Sequence, residues 1–244
     1  MVTHEPALFG DSESASRLAA IFAEMDPSAL VRLAIEGLFP GRVALISSFG
    51  ADSAVLLHMA ARVDKAAPVI FIDTRVLFPE TLAYRDELVR RLGLTNVTTV
   101  WPSSEVLAKE DPENFLWAAD PDRCCEIRKV LPLAQALEGY DAWISGRKRY
   151  QTETRNGLAL FESEGGRIKV NPLAHWTARE IVSYLDAHDL PRHPLVAKGF
   201  PSIGCIPCTS PVKPGEDPRA GRWRGRAKAE CGLHTLPLYA GADI

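Results

Sequence analysis

Four short apolar runs along the first 146 residues set the architecture of this chain: RVALIS (42–47), PVIFID (68–73), NVTTVW (96–101) and YDAWISG (140–146). Each is strand-length and apolar on both alternations, the pattern of strands covered on two faces. The first two are followed by segments of helical patterning, ADSAVLLHMAARV (51–63) and PETLAYRDELVRRLG (79–93), the second closed by glycine. Upstream, residues 12–38 carry apolar positions at helical spacing, broken by Asp26-Pro27, an N-cap followed by a first-turn proline. Strand and helix in alternation predict an open α/β fold, a doubly wound and mostly parallel sheet. Such sheets bind ligands beyond the carboxyl ends of their strands, so the loops after Ser47, Asp73 and Gly146 are expected to line one site.

The predicted α/β domain spans residues 1–208. Prolines and glycines crowd the sequence from Pro191 onward, and residues 209–244 read as a weakly structured, flexible C-terminal tail. In it Lys213, Arg219, Arg222, Arg224, Arg226 and Lys228 outnumber Glu216, Asp217 and Glu230. A cationic tail suits a lid over an anionic ligand, with a solvated arm as the plainer alternative. The net charge of −3 gives no global attraction to nucleic acid. No run approaches the roughly 18–20 apolar residues of a membrane helix. The N-terminus also lacks the basic and apolar segments of a secretory signal. A cytoplasmic setting is therefore expected, where thiols stay reduced and clustered cysteines serve metals or catalysis.

Ser47-Ser48-Phe49-Gly50-Ala51-Asp52-Ser53 joins the first predicted strand to the next helix. Small residues let backbone N–H groups and a helix N-terminus approach an anion, which makes Ser47, Ser48, Gly50, Asp52 and Ser53 candidate binding residues. The same residues also suit an ordinary turn and cap. The loop lacks the lysine of GxxxxGK[ST] and the glycines of GxGxxG. Its layout resembles the S-x-G-x-D-S loop of the adenine-nucleotide α-hydrolase superfamily, which includes ATP pyrophosphatases and sulfonucleotide reductases. Phe49 stands where the pyrophosphatases usually have glycine; its bulk argues against a loop wrapped around a whole pyrophosphate and leans toward the reductases.

Five cysteines divide by spacing. Cys205-Ile-Pro-Cys208 is a C-x-x-C turn, Cys124-Cys125 an adjacent pair, and Cys231 stands alone. A four-cysteine zinc site usually takes two pairs each spaced by two to four residues. A thioredoxin-type dithiol needs a helix start in a βαβ setting, which 200–210 does not show. An iron–sulfur cluster (4Fe–4S) accommodates the adjacent pair, and zinc or no metal stay open.

Further blocks carry a family resemblance: CCEIRKVLPL (124–133), GCIPCT (204–209), PGEDPRAGRW (214–223), ECGLH (230–234), FIDTRVLFPET (71–81) and GRKRYQTETR (146–155). In the same order, over about residues 40–235, they resemble the assimilatory adenylyl-sulfate (APS) reductases. The resemblance implies reduction of adenosine 5′-phosphosulfate to sulfite and AMP. Cys231 would be the nucleophile that forms an S-sulfocysteine, and thioredoxin the electron donor. It implies a 4Fe–4S cluster on Cys124, Cys125, Cys205 and Cys208. Lys129, Arg219, Arg222 and His234 match positions that meet the phosphosulfate, Asp73 and Thr74 the family's strand end, and Arg147 and Arg155 its arginine-rich loop. Arg75 departs from the family's glycine after Asp-Thr. Arg128 and Lys129 could, more plainly, be the exposed face of a helix. A PAPS (3′-phosphorylated) or dual-specificity reductase, a cluster-bearing tRNA thiolase and a non-catalytic redox sensor remain alternatives, and a homo-oligomer stays open.

Overall fold

The computed structural model describes residues 10–234. Six strands, β1 (Val43–Ser47), β2 (Val69–Ile72), β3 (Val97–Val100), β4 (Ala142–Ser145), β5 (Phe161–Glu164) and β6 (Arg167–Val170), form one sheet in the order β3-β2-β1-β4-β6-β5. All neighbours run parallel except β5 and β6. The doubly wound, mostly parallel sheet is therefore present. The β5–β6 hairpin is an addition to the four strands expected; its turn is Gly165-Gly166, both at positive φ (59° and 72°), as a two-residue hairpin requires.

Alternation of side chains divides the core. Val43, Leu45, Val69, Phe71, Ala142 and Ile144 point to the larger apolar layer. Ala44, Ile70, Ile72 and Trp143 point to the smaller one with Val130, Leu133 and Leu137. The helices of the larger layer begin and end on local chemistry. Helix α1 (Ser12–Ile21) starts where the Asp11 carboxylate accepts the N–H of Ser14 (2.7 Å). Helix α2 (Pro27–Arg32) starts at Asp26, with Pro27 in its first turn, and continues as a π turn (Leu33–Leu38). Helix α3 (Ser53–Val63) follows β1, and α4 (Pro79–Leu92) ends at Gly93 in the left-handed region. Among the described residues no helix is long and apolar enough to cross a membrane.

After β3 come three short helices, α5 (Ser104–Glu110), α6 (Leu116–Ala119) and α7 (Pro121–Cys125). A π turn (Glu126–Val130) links α7 to α8 (Leu131–Ala136), and α9 (Ala178–Ala187) comes after β6, started by a Thr177–Glu180 capping box. The π turn sends neighbouring residues in different directions. Lys129 reaches the cleft, whereas Arg128 is buried against Asp111 (2.6 Å), with side chains 5% and 2% exposed. Arg128 also donates to the Thr74 carbonyl (2.9 Å) and to Asn114 (2.9 Å). Arg128 is thus a buried tie between the cysteine helix and the end of β2, and only the plain reading of an exposed helix face is corrected. Arg128→Met is expected to lower stability by about 3–5 kcal/mol, because Asp111 is left as an uncompensated buried charge. Urea unfolding measures it, and the double variant Arg128→Met/Asp111→Leu is expected to recover much of the loss.

Candidate active site

Strand order reverses between β1 and β4, and a cleft of about 550 Å³ opens at their carboxyl ends. Its walls are the loop after β1, the loop after β4 and the segment after Cys208.

The first loop is closed on itself. The N–H of Gly50 donates to the Ser53 hydroxyl (2.8 Å) and that of Phe49 to the Ser47 hydroxyl (3.2 Å). Ser47, Ser48, Gly50, Asp52 and Ser53 all line the cleft. Phe49 does not obstruct it: with φ of 47° it turns into the core and packs edge-on against Phe71 (5.3 Å). Its bulk therefore does not limit the loop, which corrects the expectation from side-chain volume. Asp52 makes no cap bond and reaches Lys148 instead (2.8 Å), a lysine only 2% exposed. Lys148 was missed in the sequence because Arg147 and Arg155 of the same loop attracted the assignment.

The strand end at β2 separates its two candidates. Thr74 lines the cleft, and its hydroxyl lies 3.2 Å from the Cys205 sulfur. The Asp73 carboxylate instead accepts from the Arg75 N–H (2.9 Å) and the Trp101 indole (3.2 Å), shaping the turn. Arg75 has φ of 65°, the backbone that explains glycine at this position, and its exposed guanidinium lies over Trp101 (5.2 Å).

From residue 209 to His234 the chain is docked on the body rather than held away from it. The Ser210 N–H donates to the Gly221 carbonyl (2.8 Å), Trp223 is buried, and Lys228 pairs with Asp122. Arg226 donates to the carbonyls of Trp117 (2.5 Å) and Ala118 (3.3 Å). Arg222 lies across Gly204, where any Cβ would fall 2.2 Å from its guanidinium, and stacks on Trp223 (4.5 Å). The Nε atoms of Arg222 and Arg147 are buried with no partner among the described residues, and both residues line the cleft. Arg147 pairs with Glu162 (3.0 Å) and Arg155 with Glu230, so neither guanidinium is wholly free. Burial, with Arg155 and Arg222 close by, holds Arg219 down to about 10. Such crowding of cations is relieved by an anion. The side chain of His234 lies outside the described residues.

Cys231 sits at the foot of this cationic wall with its sulfur 3.2 Å from Lys129 Nζ. A hydrogen bond from the Cys125 thiol, the Lys129 ammonium and the Leu233 N–H together hold it well below the usual thiol range, against the effect of burial. Burial alone would depress Lys129; the sulfurs of Cys205, Cys231 and Cys125 reverse this and keep it charged.

The other cysteines come from two elements. Cys124 and Cys125 end α7, while Cys205 pairs with Leu77 in a β-bridge and Cys208 closes a single 3₁₀ turn. Burial pushes Cys124 up to about 11, with Cys205 and Cys208 near enough to add to it. Among the described residues no three His, Cys, Asp or Glu side chains are gathered as for a metal ion. A single zinc draws four sulfurs to one point, whereas each iron of a cube takes its own thiolate. Four thiols near Arg128, Lys129, Arg222 and Arg226 suit an anionic cluster in their donor chemistry. Cys125 would have to turn from Cys231 to join them.

A nucleotide-sized cleft at the sheet's switch point, walled by arginines and holding a half-buried thiol beside a lysine, has the form of an α/β enzyme site suited to an anion. The chain belongs to the phosphoadenosine phosphosulfate reductase family, whose domain matches residues 42–211. It is 54% identical over 227 residues to a Chelativorans sp. (strain BNC1) protein named adenosine 5′-phosphosulfate reductase, covering 93% of each chain. It is 40% identical to a Gloeobacter violaceus protein named phosphoadenosine 5′-phosphosulfate reductase, covering 96% of this chain and 99% of that one. Among solved structures, a Candida auris phosphoadenylyl-sulfate reductase in a phosphate complex superposes with a TM-score of 0.70 at 28% identity, covering 83% of this chain and 98% of that chain.

Proposed function

We propose that the protein reduces adenosine 5′-phosphosulfate to sulfite and AMP, with thioredoxin as donor. The observation that carries this is the Cys231 sulfur, held 3.2 Å from Lys129 in a cleft whose wall includes Arg219 and Arg222. The nucleotide sits over the loop after β1, with Thr74 and the Arg147 loop beside it. Arg219, Arg222 and Lys129 take up the charge of the phosphosulfate. The Cys231 thiolate attacks the sulfur, forming an S–S bond as the S–O bond to the phosphate breaks, and AMP departs with the electron pair. A thioredoxin thiolate then attacks Cys231 Sγ and expels sulfite, and its second thiol resolves the mixed disulfide. Two electrons pass from dithiol to disulfide, which balances the reaction.

Cys124, Cys125, Cys205 and Cys208 are the residues that would hold a 4Fe–4S cluster. Bound there, it supplies a fixed anionic body beside Lys129 and need carry no electrons, since the thiol steps already balance.

The Gloeobacter relative's name keeps a PAPS reductase as the second reading. Sulfite release with reduced thioredoxin, from APS beside PAPS, tests both. We expect APS turnover to exceed PAPS turnover by about a hundredfold or more. The reverse order refutes the proposed substrate.

A further inference from the structure

Glu230 stands one residue before the cleft thiol, and its carboxylate is buried (6% exposed) in a set of donors built for it. Arg155 grips it at two points, Nε to Oε1 (2.5 Å) and Nη2 to Oε2 (2.7 Å). The hydroxyls of Thr152 and Thr154 donate to the same Oε1 (3.0 and 3.2 Å), and Arg219 lies 3.6 Å from Oε2. Gln151 in turn orients Arg155. The socket belongs to the loop after β4, whereas Glu230 belongs to the tail, so this contact ties tail to body beside Cys231.

The other ties near Cys231 are of a different kind. Lys228, its side chain 8% exposed, meets Asp122, whose side chain is 67% exposed, and Arg226 meets two backbone carbonyls. A single-point pair open to water on its carboxylate side contributes less than a desolvated bidentate pair with two further hydroxyl donors.

The two half-reactions place opposite demands on this tie. Sulfonyl transfer needs the Cys231 sulfur inside the cleft, half-buried against Lys129. Discharge needs the same sulfur presented to a protein dithiol, away from its place beside Lys129 in the cleft. We infer that Glu230 is a positioning latch: seated between Arg155, Thr152 and Thr154 it fixes the Cys231 thiol for sulfonyl transfer, and it leaves that socket when the sulfonated thiol meets its reductant. The latch rests on the reductase proposed above, but its seating and release concern the substrate-free protein too.

The test uses the full chain and Glu230→Gln, which keeps the shape and removes the charge. Alkylation of Cys231 by a polymer-linked maleimide too large for the cleft, followed on its own peptide by mass spectrometry, reads how often the tail opens without any substrate. We expect it to rise by about tenfold or more in the variant, as loss of charge-assisted hydrogen bonds implies. Sulfonation of Cys231 by APS without reductant is expected to slow by a similar factor. Discharge of the pre-sulfonated protein by reduced thioredoxin is expected to be unchanged or faster. Thr152→Val/Thr154→Val, which leaves the charge pair in place, should show the same pattern with smaller changes and serves if Glu230→Gln folds poorly. Unchanged alkylation, or half-reactions that change together, overturns the latch. If APS fails to sulfonate even the parent protein, the proposed substrate falls, and the alkylation rates still decide the latch.

Discussion

Cys231→Ser is expected to abolish sulfite release, lowering kcat/KM by roughly four to six orders of magnitude, the scale seen when a nucleophile is removed. Two barriers act together. A serine hydroxyl at the same place is not ionised near neutral pH, and the features that favour the Cys231 anion, a thiol donor and Lys129 at 3.2 Å, cannot bring an alcohol into that range. An O-sulfo serine, even if formed, contains no S–S bond for a dithiol to cleave, so the second half-reaction has no path. On the proposed assignment the variant keeps its fold and any iron that Cys124, Cys125, Cys205 and Cys208 hold, because Cys231 is outside that set. Sulfite assay and iron content on the same sample check both halves. Residual turnover would refute the assigned nucleophile, whereas joint loss of iron and activity would move Cys231 into the cofactor's ligand set.

Lys129→Met is expected to lower kcat/KM by about a hundredfold to a thousandfold, the cost of removing one aimed charge from a protected site. Methionine keeps the apolar stem, so packing on the π turn should survive. The sign on pH comes from the thiol. Lys129 helps to hold the Cys231 pKa below its ordinary value, so its removal raises that pKa and shrinks the thiolate fraction at neutral pH. The pH profile of Cys231 alkylation should therefore move to higher pH, and Lys129→Arg should restore part of the shift. A slow enzyme with an unmoved alkylation profile would show that Lys129 serves the substrate and not the thiol.

The first four strands were legible because each is an apolar run longer than one pleat and bounded by turn residues. β5 and β6 were not, since Glu162, Ser163 and Glu164 break the apolar run of one and Arg167 and Lys169 that of the other, although Gly165-Gly166 marked the hairpin. The π turn was invisible for another reason: over five residues its apolar spacing cannot be told from that of a regular helix. Two site contacts needed tertiary structure. Lys148 looked like one cation in a basic loop until Asp52 was seen against it, and Glu230 looked like part of a charge balance until Arg155, 75 residues away, was seen to hold it. Phe49 shows the limit of judging by volume alone. A large residue at positive φ left the loop open because its side chain went to the core.

The π turn at Glu126–Val130 also makes the length of this stretch a fixed quantity. The wider turn absorbs one extra residue, so Cys124 and Cys125 before it and Leu133 and Leu137 after it keep the faces they would hold on a regular helix one residue shorter. Removing a residue would close that turn and with it the divergence that sends Arg128 to Asp111 and Lys129 to the cleft. Substitutions can accumulate here while a one-residue gap cannot. Descendants of this sequence should therefore vary in letters between the cysteine pair and α8 but keep their number.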